Sequence, residues 1–134
     1  MRPEDAAAVV SSLGIAAERG GDLTQAVYAR LFARQPDMRP LFVLDRNDAV
    51  KGEMLARAFD AILDFIGERR YGHRLILSEA VNHEGYNVPR EAFAMFFTVV
   101  AETVREACGP HWSDAMADAW ARLNADLGAY IRPP

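Results

Sequence analysis

NHEGYNVPREAF, residues 82–93, places a histidine at the end of an apolar helical stretch, directly before a turn-like Gly-Tyr-Asn and a helix started by Pro89. A His in that place is structural, catalytic, or a ligand to something large and apolar. The stretch alone leaves all three open. Upstream, Ile76, Ala80 and His83 fall at i, i+4 and i+7, one stripe of a helix. Downstream, Phe93, Phe96, Phe97, Val100 and Val104 make a wide apolar face on a helix whose first turn tolerates proline.

Helical periodicity continues outward in both directions, and no strand-like alternation interrupts it. Pro3 and Asp5 open a first helix with apolar Val9, Leu13, Ala16 and Ala17, closed by Gly20 and Gly21. Asp22 caps a second, carrying Val27, Tyr28, Leu31 and Phe32. Pro36 stops it, and PDMRPLF reads as a short tight turn of helix ending in Phe42. The polar link LDRND leads into a long amphipathic helix with Leu55, Phe59, Ile62 and Ile66 on one face. Gly67 and Gly72 bracket a break before the histidine helix. Gly109-Pro110 ends the phenylalanine-rich helix, and Ser113 caps a last one with Met116, Trp120, Leu123, Leu127 and Ile131. These signals predict an all-α chain of six main helices and one short helical turn, forming a single domain over 1–134. The last two helices, tightly joined, are expected to pack antiparallel.

With 134 residues, 51% hydrophobic and 25% charged, the chain has the profile of a soluble globule large enough to bury most of its apolar surface. The net charge of −4, with arginines scattered among acids, argues against a nucleic-acid partner. Cys108 is the sole cysteine, so an internal disulfide and covalent C-x-x-C-H haem attachment are both excluded. Glu4 and Asp5 stand where a signal peptide needs basic residues, and no apolar run approaches membrane-spanning length. A cytoplasmic, membrane-free protein is expected.

The order of features resembles the globin family, specifically bacterial single-domain globins and the haem domain of flavohaemoglobins. LTQAVYARLFARQPDMRPLF is similar to that family's second and third helices, ending in the Phe that wedges against haem. KGEMLARAFDAIL is similar to the distal helix, AVNHEGYNVPREAF to the proximal helix and its continuation, and DAWARL to the last helix. The resemblance spans essentially the whole chain. It implies a three-over-three helical sandwich enclosing a haem crevice: an apolar slot between helices crossing at roughly 50°. A neutral imidazole holds the iron of non-covalent haem b on one face, and the other face stays open to a gas.

The resemblance implies that His83 is the proximal iron ligand through Nε2, with Nδ1–H held by a nearby backbone carbonyl. It assigns Phe42 to stacking on the porphyrin, and Tyr28 to the distal pocket as hydrogen-bond donor to the gas. Without it, both are ordinary core aromatics. Lys51 falls at the family's distal position, usually His or Gln, with Leu55 as the ceiling residue above the iron. Three readings are open to Lys51: snorkelling to solvent at the pocket mouth, hydrogen-bonding the ligand, or binding iron as a neutral amine. A one-residue slip in the short linker places Val50 there instead. Tyr86, Val88 and Phe96 flank the proximal side, and Arg46, Arg74 and Lys51 are alternatives for pairing with haem propionates. Phe93 stands where flavohaemoglobins use a Tyr to pass charge from a Glu to the proximal His, and the matching Glu is not expected before Pro134. A weakly activated imidazole, suited to reversible gas binding, is the expectation. His73 and His111 are read as surface residues, and Trp120 as packing between the last two helices.

The implied function is a haem globin that binds O2, and NO and CO, for oxygen binding, transport or gas sensing. No G-x-G-x-x-G stretch occurs among the glycines, so NO dioxygenation requires an external reductase. The competing reading is a haem-free globin-like module for protein interaction or signalling, its slot filled by side chains.

Overall fold

A computed structural model describes residues 1–132. Pro133 and Pro134, the end of the expected 1–134 domain, lie outside the described residues. Helices α1 (Pro3–Gly20), α2 (Thr24–Arg34), α3 (Ala49–Ile66), α4 (Gly72–Gly85), α5 (Arg90–Cys108) and α6 (Asp114–Ile131) follow one another, with 3-10 turns at Pro36–Phe42 and Gly109–His111. Among the described residues there is no strand.

Local chemistry sets the helix ends. Gly21, at φ 63°, closes α1 in the left-handed region where only glycine is unstrained. Asp22 accepts from the Thr24 backbone N–H at 2.9 Å and from its hydroxyl at 2.6 Å, so the expected cap acts from just outside the helix. Ser113 Oγ accepts from Met116 N–H at 3.1 Å and caps α6 as its sequence predicts. Between α3 and α4, the Asp64 carboxylate gathers the N–H groups of Arg70, Tyr71 and Gly72 at 3.1, 2.8 and 2.5 Å. This satisfies donors that the start of α4 leaves open. Gly72 itself is obligatory, because a Cβ there would lie 2.5 Å from the Ala61 carbonyl oxygen.

The core is deepest where α1 packs on α5 and α6. Arg90, first in α5, donates to the carbonyl of Ile131, last in α6, at 3.2 Å. The two helices are joined at the opposite end by the Gly109–His111 turn, so they run antiparallel as expected. Trp120, expected to pack between those two helices, also bonds to α1. It is buried, and its indole N–H reaches across to Ser12 Oγ of α1 at 2.8 Å. The Ser12 hydroxyl in turn donates to the Val9 carbonyl at 2.7 Å. Asp5 and Arg122 complete the α1–α6 seam with hydrogen bonds of 2.7 and 2.8 Å. His111 is exposed as read. His73 is not a surface residue: it is half-buried, its ring 6.0 Å from that of Tyr130, and the helix break that suggested exposure is covered by α6. No helix is long and apolar enough to cross a membrane among the described residues.

Candidate functional site

On the opposite side of α5 the helices do not close. A crevice opens between α2, α3, α4 and α5, with about 890 Å³ of empty space when its open mouth is included. Leu31, Met38, Leu75, Ile76 and Ala92 give it an almost wholly apolar wall.

Tyr28, on α2, is 2% exposed, and its hydroxyl has no hydrogen-bond partner. Burial pushes its phenol well above the usual tyrosine range, with the Asp45 carboxylate adding to the effect, so the hydroxyl keeps its proton. Phe42, at the end of the 3-10 turn, sets its ring edge-on to Tyr28 at 5.4 Å. From Tyr28 a run of ring contacts passes to Phe96, Phe97 and Phe93, with centroids 5.8, 5.6 and 5.9 Å apart. It ends on His83, whose ring lies 4.8 Å from Phe93.

His83 Nδ1 lies 2.7 Å from the carbonyl oxygen of Glu79, one turn earlier in α4. A carbonyl only accepts, so Nδ1 carries a proton, and in the neutral ring Nε2 keeps a free lone pair. The last turn of α4 is fastened by Val88 N–H donating to the His83 carbonyl at 2.9 Å, while Asn87 takes a left-handed φ of 67°. The sequence GYN is thus a turn that reverses the chain and brings Val88 and Phe93 beneath the imidazole wall. Among the described residues no group of three or more His, Cys, Asp or Glu side chains is arranged to hold a bare metal ion.

Six of the nine expected cofactor residues, Tyr28, Phe42, His83, Val88, Phe93 and Phe96, line this crevice. Lys51, Leu55 and Tyr86 do not, and each has a physical reason. Lys51 neither snorkels freely nor enters the slot. Its ammonium sits between Asp45 at 2.7 Å and Asp48 at 3.0 Å, and these hydrogen bonds hold its pKa above the usual lysine value. A lysine held protonated in this way is a poor candidate for a neutral-amine ligand. Leu55 is 3% exposed and faces α1 and α2 instead, on the side where Gly52 lies against Thr24. Tyr86 is 76% exposed on the turn after α4. Val50, the slipped alternative, is 50% exposed.

The α3 wall is built from Met54, Arg57, Ala58 and Ala61, none of them anticipated from the sequence. Their spacing, i, i+3, i+4 and i+7, is itself a helical stripe. It was masked by the more hydrophobic neighbouring stripe, which the core claims. Arg57 also replaces the three expected cations at the slot: Arg46, Arg74 and Lys51 do not line it, and Arg57 does. Glu79 is the second unanticipated charged residue on the wall.

Fold and site together define an all-helical protein with an apolar crevice that sets a lone imidazole and a buried phenol on shared walls. The Globin family model matches residues 25–131, and the chain belongs to that family. The chain is 26% identical over 128 residues to a flavohemoprotein of Bordetella pertussis (strain Tohama I), an alignment covering 95% of this chain and 32% of that protein. Flavohemoproteins of Bordetella parapertussis and Bordetella bronchiseptica match with the same identity and coverage. The chain therefore spans about a third of the length of these relatives. No solved structure matches it at comparable stringency.

Proposed function

We propose that the crevice takes haem b, with His83 Nε2 as the protein ligand to iron, and that the loaded protein binds O2 reversibly, with NO and CO as further ligands. The observation that carries this reading is the hydrogen bond from His83 Nδ1 to the Glu79 carbonyl, which in the neutral ring leaves a free Nε2 lone pair for metal binding at the wall of an apolar slot. The orphaned hydroxyl of Tyr28 on the same slot is a second fit, since a buried donor without an acceptor is stabilised by a polar ligand brought within reach.

When bound, haem would supply an iron centre able to take a gas. The chain's own residues do the rest. His83 holds, Phe93 packs against the imidazole ring, and Phe42 and Phe96 give the apolar faces. Arg57 offers a cation for carboxylates of the cofactor. Tyr28 donates a hydrogen bond, and such a donor favours the ligand that gathers negative charge, so O2 gains more than CO. Oxygen binding, transport or gas sensing follows from these parts. NO dioxygenation is a secondary activity that draws its electrons from an external reductase. The relatives' name, flavohemoprotein, joins a flavin to a haem, and this chain aligns with about a third of their length. A haem-free interaction module is the competing reading, and the apolar slot with its unpartnered phenol speaks against it.

The visible spectrum of the purified protein tests this. A Soret band that shifts on reduction and again on CO is expected, and His83→Ala should lose it while His111→Ala keeps it. A colourless protein that cannot be reconstituted with haem overturns the proposal.

A further inference from the structure

We infer that Glu79 is a positioning residue that sets the electron-donating strength of the His83 imidazole, the part that in the flavohaemoglobin pattern falls to a Tyr and a Glu from elsewhere in the fold. This rests on the haem reading above and deepens it.

Glu79 presents two different oxygens to one nitrogen. Its backbone carbonyl takes the Nδ1–H at 2.7 Å, and its carboxylate Oε2 stands 3.6 Å from the same atom. The i, i+4 spacing on α4 puts both side chains on one face. At 3.6 Å the carboxylate is outside hydrogen-bond range, but its charge still acts on the ring at that distance. Glu79 has no Lys or Arg within ion-pair distance among the described residues, so no cation neutralises it there. The neighbouring Glu84 is engaged elsewhere, 3.4 Å from Arg90. Phe93, its ring 4.8 Å from the imidazole, offers no proton or charge.

A negative charge held beside Nδ1–H polarises the ring and makes Nε2 a stronger donor, which favours the more positive oxidation state of a metal bound there. A charge from Glu79 runs against the expectation of a weakly activated imidazole, which weighed only Phe93 and the matching Glu of the family pattern. The carboxylate comes from the proximal helix itself, one turn before the histidine.

The test uses the full chain reconstituted with haem, and reads the iron–histidine stretching band of the ferrous, gas-free protein together with the midpoint potential. Glu79→Gln, which removes the charge and keeps the shape, should move the band to lower frequency and the potential to a more positive value. Glu79→Asp keeps the charge but pulls it back, and should fall between Glu79→Gln and the parent. Glu84→Gln, an equal change in net charge, should leave both readings at the parent values. If Glu79→Gln does not retain haem, the contrast between Glu79→Asp and Glu84→Gln decides by the same two readings. Haem-loaded variants at 79 that match the parent, or that match Glu84→Gln, overturn this inference and leave the haem reading standing. A parent chain that takes up no haem overturns both.

Discussion

Ser12 on the α1–α5–α6 side and Tyr28 in the crevice of this globin show two treatments of a buried hydroxyl. At the first, Ser12 sits in a closed circuit: it accepts from Trp120, donates to Val9 and lends its carbonyl to the Cys108 thiol at 3.3 Å. At the second, Tyr28 is equally buried and its hydroxyl has nothing to bond. A satisfied buried network adds rigidity, whereas an orphaned group is a standing cost that a packed protein avoids unless something else uses it. Orphaned atoms also occur outside the crevice, at Trp112 Nε1, Asn124 Oδ1 and His73 Nδ1, so what sets Tyr28 apart is an orphaned hydroxyl on the wall of an open slot.

Four measurements break or sharpen that contrast. Leu123→Ala, at a position with 0% exposure on the packed side, should cost about 2–5 kcal/mol in denaturant unfolding of the haem-free protein. A loss well below that range means the α1–α6 seam is looser than its packing indicates. Ser12→Ala should cost roughly 1–3 kcal/mol, because it strands the Trp120 N–H without an acceptor. Tyr28→Phe should go the other way, leaving the haem-free protein unchanged or more stable by about 1 kcal/mol. In the haem-loaded protein it should speed O2 release more than CO release. A destabilised Tyr28→Phe, or equal effects on the two gases, removes the role assigned to the phenol.

The smallest effect expected is an acid one. The hydrogen bond from Lys51, helped by the Val50 and Lys51 amides, holds the Asp45 carboxyl below the usual carboxylate range. Its contribution to the start of α3 is therefore complete above the unfolded carboxyl value near ~3.9 and fades as pH falls below that, through the lower folded value. Relative to the unstructured chain at the same pH, amide protection at Val50 and Lys51 should fall on acidification, while that of Met116, capped by the non-titrating Ser113, should not. Equal loss of protection at both helix starts would show general unfolding instead.

Much of the crevice was legible in advance. His83 carries its own context, an apolar stripe behind it and a turn ahead, and Tyr28 and Phe42 stand on segments with strong helix and stop signals. The misplacements cluster on α3 and just after α4. Lys51, Leu55 and Tyr86 were all assigned by family register; Lys51 falls one turn before the wall and Leu55 on the stripe beside it. Arg57 and Glu79 were passed over because charged residues on an amphipathic helix read as solvated face. Nothing in their own neighbourhoods says that a slot opens beside them.

The sequence by itself determined that there are helices, where they start and stop, and in what order the aromatic and imidazole groups come. Those are properties of neighbouring residues: caps, glycines, prolines and a period of 3.6. Only the tertiary structure decided which stripe of α3 looks into the crevice. Adjacent residues on a helix point in different directions, so Met54 and Leu55 face different surroundings. The rotation that separates them was set by the side of α3 that packs against α2 and by the Asp45–Lys51 clamp. Contacts of that kind join residues that no local pattern connects.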